Sequence, residues 1–152
     1  MKTTKSLALM MWSIFIVVPG LHAACSTASI AGRFGFTTTG SIPAVGQVAA
    51  TGIFTQDASG NITGTQTRSL NGSVADETFT GTATVNSDCT GTDTIQVFQD
   101  GSLVRTTTLH VVYDDNGREA RAIFTSLVLP NGVSLPSIIT IEARKLSSRE
   151  AD

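Results

Sequence analysis

Threonine alternates with other residues, with a period of two, along the middle of the chain. Residues 63–67 read Thr-Gly-Thr-Gln-Thr, and residues 78–84 read Thr-Phe-Thr-Gly-Thr-Ala-Thr. This period is typical of a β-strand with two unlike faces, and the branched Cβ of threonine favours extended backbone. The pair Asn71-Gly72 between the two segments is typical of a type I′ turn, which needs positive φ at both central residues. The segment therefore predicts an antiparallel hairpin and excludes a helix.

Similar segments, separated by short polar turns, continue through the chain and predict eight strands. They are 31–39, 47–57, the strand that contains 63–67, 77–86, 90–98, 103–113, 118–128 and 137–146. Short turns indicate antiparallel neighbours, and an open sheet of this size would leave two unpaired edges. We therefore predict an all-β fold, an eight-stranded antiparallel up-and-down barrel of the calycin type. A two-sheet sandwich is the alternative, because turn spacing hardly separates the two.

The N-terminus has the order of a secretory signal peptide. Lys2 and Lys5 precede an apolar segment at 7–18, and the small residues Ala23 and Ala24 follow. The apolar segment is shorter than the roughly 20 residues that a membrane-spanning helix needs, so no transmembrane segment is expected in the mature chain. We predict a signal peptide over 1–23, a single barrel domain over 24–146 and a loose polar tail over 147–152. The predicted location is secreted or periplasmic.

Both cysteines, Cys25 and Cys89, belong to the predicted mature chain. An even pair in an exported protein predicts a disulfide, and closing so long a loop is worth about 4 kcal/mol in the chain-entropy model. Neither a C-x-x-C pair nor a histidine cluster accompanies them, so no metal site and no cofactor are expected. A lipid anchor on Cys25 is the alternative, although His22 stands where such anchors have a small or apolar residue.

Several motifs resemble those of a group of small exported bacterial proteins without assigned function. They are Cys-Ser at 25–26, G-x-F-G-F at 32–36, D-x-x-G-N-I-T-G-T at 57–65, TFTGTATVNSDCTGTDT at 78–94 and DDNGRE at 114–119. TVNSDCTGT is the most specific of them. This resemblance implies an exported barrel but no activity. The length and the eight-strand order are also similar in architecture to allene oxide cyclases and dirigent proteins, which implies an apolar cavity but transfers no catalytic residue.

The hairpin register predicts which residues face the interior. Pairing across Asn71-Gly72 puts Gln66 opposite Glu77 and Gly64 opposite Phe79, and their shared face is apolar and therefore inner. Keeping Ile95 and Leu109 on that face requires a bulge or a three-residue loop near 99–102, since a plain two-residue turn would bring His110 inside. The candidate ligand-binding residues on the inner face are Gln66, Arg68, Asp93, Arg105 and Tyr113.

Two interpretations of these inner polar residues remain open. Gln66, Arg68, Asp93 and Arg105 are expected to form one polar group, which acts as an internal arginine-carboxylate network that fixes the register. Alternatively, the guanidinium groups line a pocket for a small apolar or anionic ligand. His110 is the single histidine of the predicted mature chain, and no G-x-S-x-G motif accompanies it, so a catalytic triad has no sequence signature.

Composition narrows the function to three hypotheses. Only 14% of residues are charged and the formal net charge is −2, which argues against nucleic-acid binding. The first hypothesis is a barrel that binds a small, partly apolar ligand without covalent chemistry. The second is a cyclase-type enzyme in which Arg68, Arg105 or Asp93 polarises the substrate. The third is a surface-interaction protein that uses the threonine-rich outer face, so whether the protein is an enzyme stays open.

Overall fold

The computed structural model describes residues 24–147, so the predicted signal peptide (1–23) and residues 148–152 of the predicted tail lie outside it. Eight strands follow one another: β1 (Gly32–Ile42), β2 (Gly46–Gln56), β3 (Asn61–Leu70), β4 (Ser73–Val85), β5 (Thr90–Gln99), β6 (Ser102–Asp114), β7 (Glu119–Val128) and β8 (Ile138–Lys145). Each pairs antiparallel with the next, and β8 pairs with β1 to close a barrel. The predicted fold is confirmed, and the sandwich alternative is wrong.

β1 and β4 extend by several residues beyond the limits that their sequence patterns indicated. β1 continues from Thr39 to Ile42, and β4 begins at Ser73 rather than at residue 77. The segment before Glu77 is polar and shows no clear alternation, so its sequence carries little strand signal. In the barrel it pairs with β3 back to the Asn71-Gly72 turn, and ladder hydrogen bonds override the weak local preference.

The register follows the hairpin turns. Asn71 and Gly72 have φ values of 49° and 88°, and the pairing of Gln66 with Glu77 is confirmed. The connection between β5 and β6 is a two-residue turn, Asp100-Gly101, because Gln99 pairs with Ser102.

The predicted bulge lies just beyond that turn. Val97 pairs with Arg105 but the next residue pairs with Leu103, so Val104 is the additional residue of β6. The bulge reverses the parity of the strand. Leu109 therefore faces inward, and His110 is exposed.

Aromatic packing organises the interior. The rings of Phe34 and Phe54 stack with centroids 5.0 Å apart, Phe36 lies 5.9 Å from Phe54, and Phe79 meets Phe36 edge-on at 5.8 Å. The Phe79 ring lies directly over Gly64, its cross-strand partner, where any Cβ would clash with it. Glycine at 64 therefore lets a large ring lie flat against the barrel wall.

A short helix, α1 (Thr27–Ile30), lies across one end of the barrel and was not predicted from the sequence. Ser26 caps it, and its last residue, Ile30, is 1% exposed. Three turns meet the helix segment at this end: Gly60 approaches Thr27, Gly117 approaches Ile30, and Cys89 is disulfide-bonded to Cys25. We call this the helix end. No helix within residues 24–147 is long and apolar enough to span a bilayer.

The opposite end, which we call the loop end, has the β1–β2, β3–β4 and β5–β6 turns and the loop at 129–137. A second apolar cluster of Ile42, Val48, Leu127 and Ile139 lies there, and Leu135 from the loop packs against it. Val45 and Val133 at this end are 40% and 48% exposed. Because α1 and its disulfide cover the helix end, we take the loop end as the more open route into the barrel.

The Cys25–Cys89 disulfide, predicted from sequence, ties the segment before α1 to the β4–β5 turn across a separation of 64 residues. We expect the double variant Cys25→Ser, Cys89→Ser to lose about 4 kcal/mol of unfolding free energy, because the unfolded chain gains the entropy of a long open loop. Urea unfolding measures the loss. A reductant should destabilise the wild type equally and leave the variant unchanged; identical unfolding midpoints for oxidised and reduced wild type would contradict this account.

Candidate functional site

The barrel encloses a cavity of about 380 Å³. A cavity of about 150 Å³ lined by apolar side chains takes up benzene, and small-molecule pockets span roughly 300–1,000 Å³. The wall is mostly apolar, with Phe36 on β1, Phe79 on β4, Ile95 on β5 and Leu109 on β6 at inner positions. The interior is therefore hollow and has room for a small organic molecule.

A buried carboxylate organises the polar groups toward the loop end of the cavity. The side chain of Glu77 is 0% exposed. It accepts hydrogen bonds from Gln66 Nε2 at 2.6 Å and Arg68 Nε at 2.8 Å. Arg105 binds it with both terminal nitrogens, Nη1 to Oε1 at 2.8 Å and Nη2 to Oε2 at 2.7 Å. Glu77 thus joins β3, β4 and β6, and we call these four residues the Glu77 cluster.

The Glu77 cluster has an excess of positive charge. Burial disfavours ionised Glu77, but the hydrogen bonds and charge of Arg105, with hydrogen bonds from Arg68 and Gln66, lower its pKa from 4.5 to about 2. Two guanidinium groups therefore surround one carboxylate. Arg68 Nη1 is buried and has no hydrogen-bond partner among the described residues. The cluster can accept one further negative group at that nitrogen.

A second set of polar side chains lies toward the helix end. Gln56 on β2, Asp93 on β5 and Tyr113 on β6 all line the cavity and are 2%, 8% and 6% exposed. Within residues 24–147, Asp93 Oδ1 lacks a hydrogen-bond partner, and Gln56 Nε2 and the Tyr113 hydroxyl make no hydrogen bond of good geometry, although the Gln56 amide is close enough to the hydroxyl to lower its pKa. Buried polar groups are hydrogen-bonded in the great majority of cases. Three such groups without good hydrogen bonds in one cavity therefore indicate a candidate ligand-binding position.

The ionisation of this second set is governed by burial. Removal from water raises the pKa of Asp93 from 3.8 to about 7, with no cation beside it to oppose the shift. Burial also raises the pKa of Tyr113, the charge of Asp93 raises it further, and the amide of Gln56 opposes the rise. Near neutral pH Tyr113 is an un-ionised phenol, and Asp93 exchanges its proton. This set can donate and accept hydrogen bonds without carrying a fixed charge.

The structure divides the sequence-predicted site residues into two groups. Gln66, Arg68 and Arg105 meet at Glu77, whereas Asp93 does not join them, so the expectation of one polar group is wrong for Asp93. Asp93 pairs across β5 and β6 with Leu109, and Arg105 pairs with Val97, four positions away. At about 3.3 Å per residue this separates the two levels by about 13 Å of strand. Two side chains on the same face of the sheet are therefore not necessarily in contact.

Two residues of the site were missed from sequence. Glu77 was paired correctly with Gln66 but was not included among the candidates, although the same register puts it on the inner face. The sequence pattern could have identified Glu77, because it is an acidic residue on an inner, apolar face that also carries inward-pointing arginines. Gln56 was assigned to a strand without an inward direction, and only the pairing of β2 with β3, where Gln56 faces Ile62, shows that it points inside.

The outward threonines lie where the alternation predicts. Thr63, Thr65, Thr67, Thr80 and Thr94 are exposed, and neighbouring strands align some of them, as in the pair Thr63 and Thr80. Thr106 and Thr108 are half-buried instead. Within residues 24–147 no group of three or more His, Cys, Asp or Glu side chains could hold a metal ion.

Comparison with known proteins shows the fold. No protein-family model matches the chain, and no curated protein matches it. Among solved structures, the chain is similar to a redesigned β-barrel, mFAP1, solved bound to DFHBI, with a TM-score of 0.54 and 15% sequence identity. The match covers 79% of this chain and 98% of the redesigned barrel. The chain is thus a small β-barrel protein.

We expect removal of the Glu77 carboxylate to destabilise the folded protein strongly. Glu77→Gln leaves Arg68 and Arg105 with unpaired buried charge, so we expect a loss of about 3–5 kcal/mol in unfolding free energy at pH 7. The difference should narrow as pH falls from 4.5 toward 2, where wild-type Glu77 itself becomes protonated. Urea unfolding measures both effects. Asp76→Asn, at the neighbouring exposed position, is the matched control and should change stability by less than about 0.5 kcal/mol; equal effects would contradict the network.

The contribution of Asp93 to stability should depend on pH in the opposite direction to that of Glu77. Its pKa is about 7 in the folded protein against an ordinary 3.8, so between these values only the unfolded chain has released the proton. Wild-type stability therefore falls as pH rises from about 4 to 7, by about 4 kcal/mol from this residue. Asp93→Asn has no proton to lose, so its stability relative to wild type should increase over that range. Urea unfolding of both proteins from pH 4 to 8 tests this, and parallel pH curves would contradict it.

Proposed function

We propose that this protein is an exported barrel that binds a small, partly apolar, anionic molecule in its cavity. One observation carries the proposal: Arg68 lines a mostly apolar cavity of about 380 Å³, and its buried nitrogen Nη1 has no hydrogen-bond partner among the described residues. An apolar body gains from leaving water, and a carboxylate or similar anion completes the hydrogen bonding of the guanidinium. Area burial supplies affinity, and the charged contact supplies orientation.

The location of the Glu77 cluster supports an entry route. The cluster lies toward the loop end, where the exposed apolar side chains Val45 and Val133 edge the barrel. The opposite end is covered by α1, whose Ile30 is buried in the core. In this proposal the ligand enters through the loop end. Its anionic group stays near Arg68.

The proposed address is secreted or periplasmic, with residues 1–23 removed and 24–146 as the mature barrel. The signal-peptide pattern and the disulfide support this, because disulfides persist in oxidising compartments. The sulfur of Cys25 is engaged in the disulfide, so no thiol remains there for a lipid anchor. We therefore favour a freely exported protein over the anchored alternative.

A cyclase-type enzyme is the second candidate function. It is supported by Asp93 and Tyr113, a carboxyl group with a pKa of about 7 and a phenol that share an apolar cavity. A group with that pKa can act as general acid or base near neutral pH. The two functions differ in outcome: a binding protein returns its ligand unchanged, whereas a cyclase converts it to an isomer that chromatography separates.

Binding is tested with anilinonaphthalene sulfonate, an anionic apolar fluorophore. We expect saturable binding of one probe molecule per barrel and displacement by decanoate. Because 1-decanol lacks the charge, it should displace the probe about tenfold more weakly, as expected for loss of a charged hydrogen bond. Arg68→Leu should remove the preference for decanoate. Arg121→Leu, at a side chain that is 66% exposed, is the matched control and should retain it.

A second variant separates the cavity from the surface. Ala122 lines the cavity between Val111 and Ile141, so Ala122→Phe fills part of the interior without burying a polar group. We expect loss of probe binding in a protein whose circular dichroism is unchanged. Undiminished binding in Ala122→Phe, or failure of decanoate to displace the probe from wild type, would contradict the proposal and favour the outer-surface hypothesis.

A further inference from the structure

We infer that Gln56, Asp93 and Tyr113 form a second polar subsite, at the helix end of the cavity, that binds an uncharged hydroxyl group at the far end of the ligand. The inference rests on the proposed function and deepens it by specifying the ligand class. That class is an amphipathic molecule with an anionic group at one end, an apolar middle and a hydroxyl group at the other.

The first argument is the state of the three side chains. Each is more than nine-tenths buried, and each has a polar atom without a hydrogen-bond partner among the described residues: Gln56 Nε2, Asp93 Oδ1 and the Tyr113 hydroxyl. They come from three different strands and line one cavity, and Tyr113 is near the other two, because the Gln56 amide and the charge of Asp93 both act on its hydroxyl. A buried polar atom left unpaired is costly, so a ligand group that pairs with several of them gains their hydrogen bonding at once.

The second argument is the pattern of donors and acceptors. The Gln56 nitrogen can only donate, the Asp93 oxygen accepts when ionised, and the Tyr113 hydroxyl does either. A hydroxyl group both accepts and donates, so it can receive the Gln56 proton and give its own to Asp93. A carboxylate cannot donate, and the charge that Asp93 develops near neutral pH would repel it. The helix end therefore selects against the anionic group that Arg68 attracts.

The third argument is the distance between the two polar sets. The strand levels of Asp93 and of Val97, which pairs with Arg105, are four residues apart on β5, or about 13 Å. The wall between them is mostly apolar: Ile95 lies between the two levels on β5, and its partner on β6 is the buried Thr107. A ligand that reaches both sets needs an apolar segment between its polar groups. Because Asp93 repels the anionic group of the ligand and Arg68 attracts it, the ligand binds in a single orientation in the barrel.

The test compares decanoate with 10-hydroxydecanoate and 2-hydroxydecanoate, each by displacement of anilinonaphthalene sulfonate from the full mature protein. The terminal hydroxyl of 10-hydroxydecanoate can reach the helix end, whereas the hydroxyl of 2-hydroxydecanoate stays beside the carboxylate. We expect 10-hydroxydecanoate to bind about three- to tenfold more tightly than decanoate, the gain of one net hydrogen bond. The 2-hydroxy isomer should lack that gain.

Variants assign the gain to the subsite. Tyr113→Phe removes only the phenol oxygen, and Gln56→Met keeps a similar side-chain length without a donor. In each, the affinity ratio of 10-hydroxydecanoate to decanoate should fall by about threefold or more. Because the readout is a ratio measured on one folded protein, a general loss of stability does not mimic it.

The outcomes separate the inference from the function on which it rests. If decanoate binds but 10-hydroxydecanoate binds no better, or if the ratio is unchanged in both variants, the second subsite is wrong and the binding function stands. If none of the three acids displaces the probe from wild type, both are wrong. A terminal hydroxyl that weakens binding tenfold would identify the helix end as a purely apolar pocket and would also overturn the inference.

Discussion

Closure of the barrel by the pairing of β8 with β1 is the constraint on which the other features depend. Once the sheet is closed, every inward side chain shares one interior and can reach no water through the wall. A polar group there must be paired by another strand or stay unpaired. Glu77 illustrates the first outcome, since donors from β3 and β6 surround it, and Asp93 the second, since burial alone governs its pKa.

The two ends of the barrel are stabilised differently, and the difference is consistent with the proposed entry route. A capped helix and a disulfide cover the helix end, while turns and the loop at 129–137 form the other. An interior ligand site needs one end that can open, and loops open at lower free-energy cost than packed cores. The charge excess of the Glu77 cluster also lies toward the openable end.

The candidate site was partly predictable, and each failure has a physical cause. Inward direction follows from parity along a strand, so Arg68 and Arg105 could be found. Contact depends on level along the barrel axis, which parity does not contain, and this is why Asp93 was wrongly grouped with them. Glu77 was missed although its partner was known, because a carboxylate becomes a cluster centre only when strands that are distant in sequence bring Arg68 and Arg105 to it.

The sequence by itself determined the number and order of the strands, their inner and outer faces, the register across Asn71-Gly72 and the disulfide, because these depend on short-range alternation, turn residues and an even pair of cysteines. Tertiary structure decided that the interior is hollow, that α1 covers one end, and that Gln56, Asp93 and Tyr113 line one cavity. The physical reason is that these features depend on the three-dimensional level at which side chains from strands far apart in sequence come together. The local sequence pattern does not contain the height of a side chain along the barrel axis, because that height depends on how the strands pair when the barrel closes.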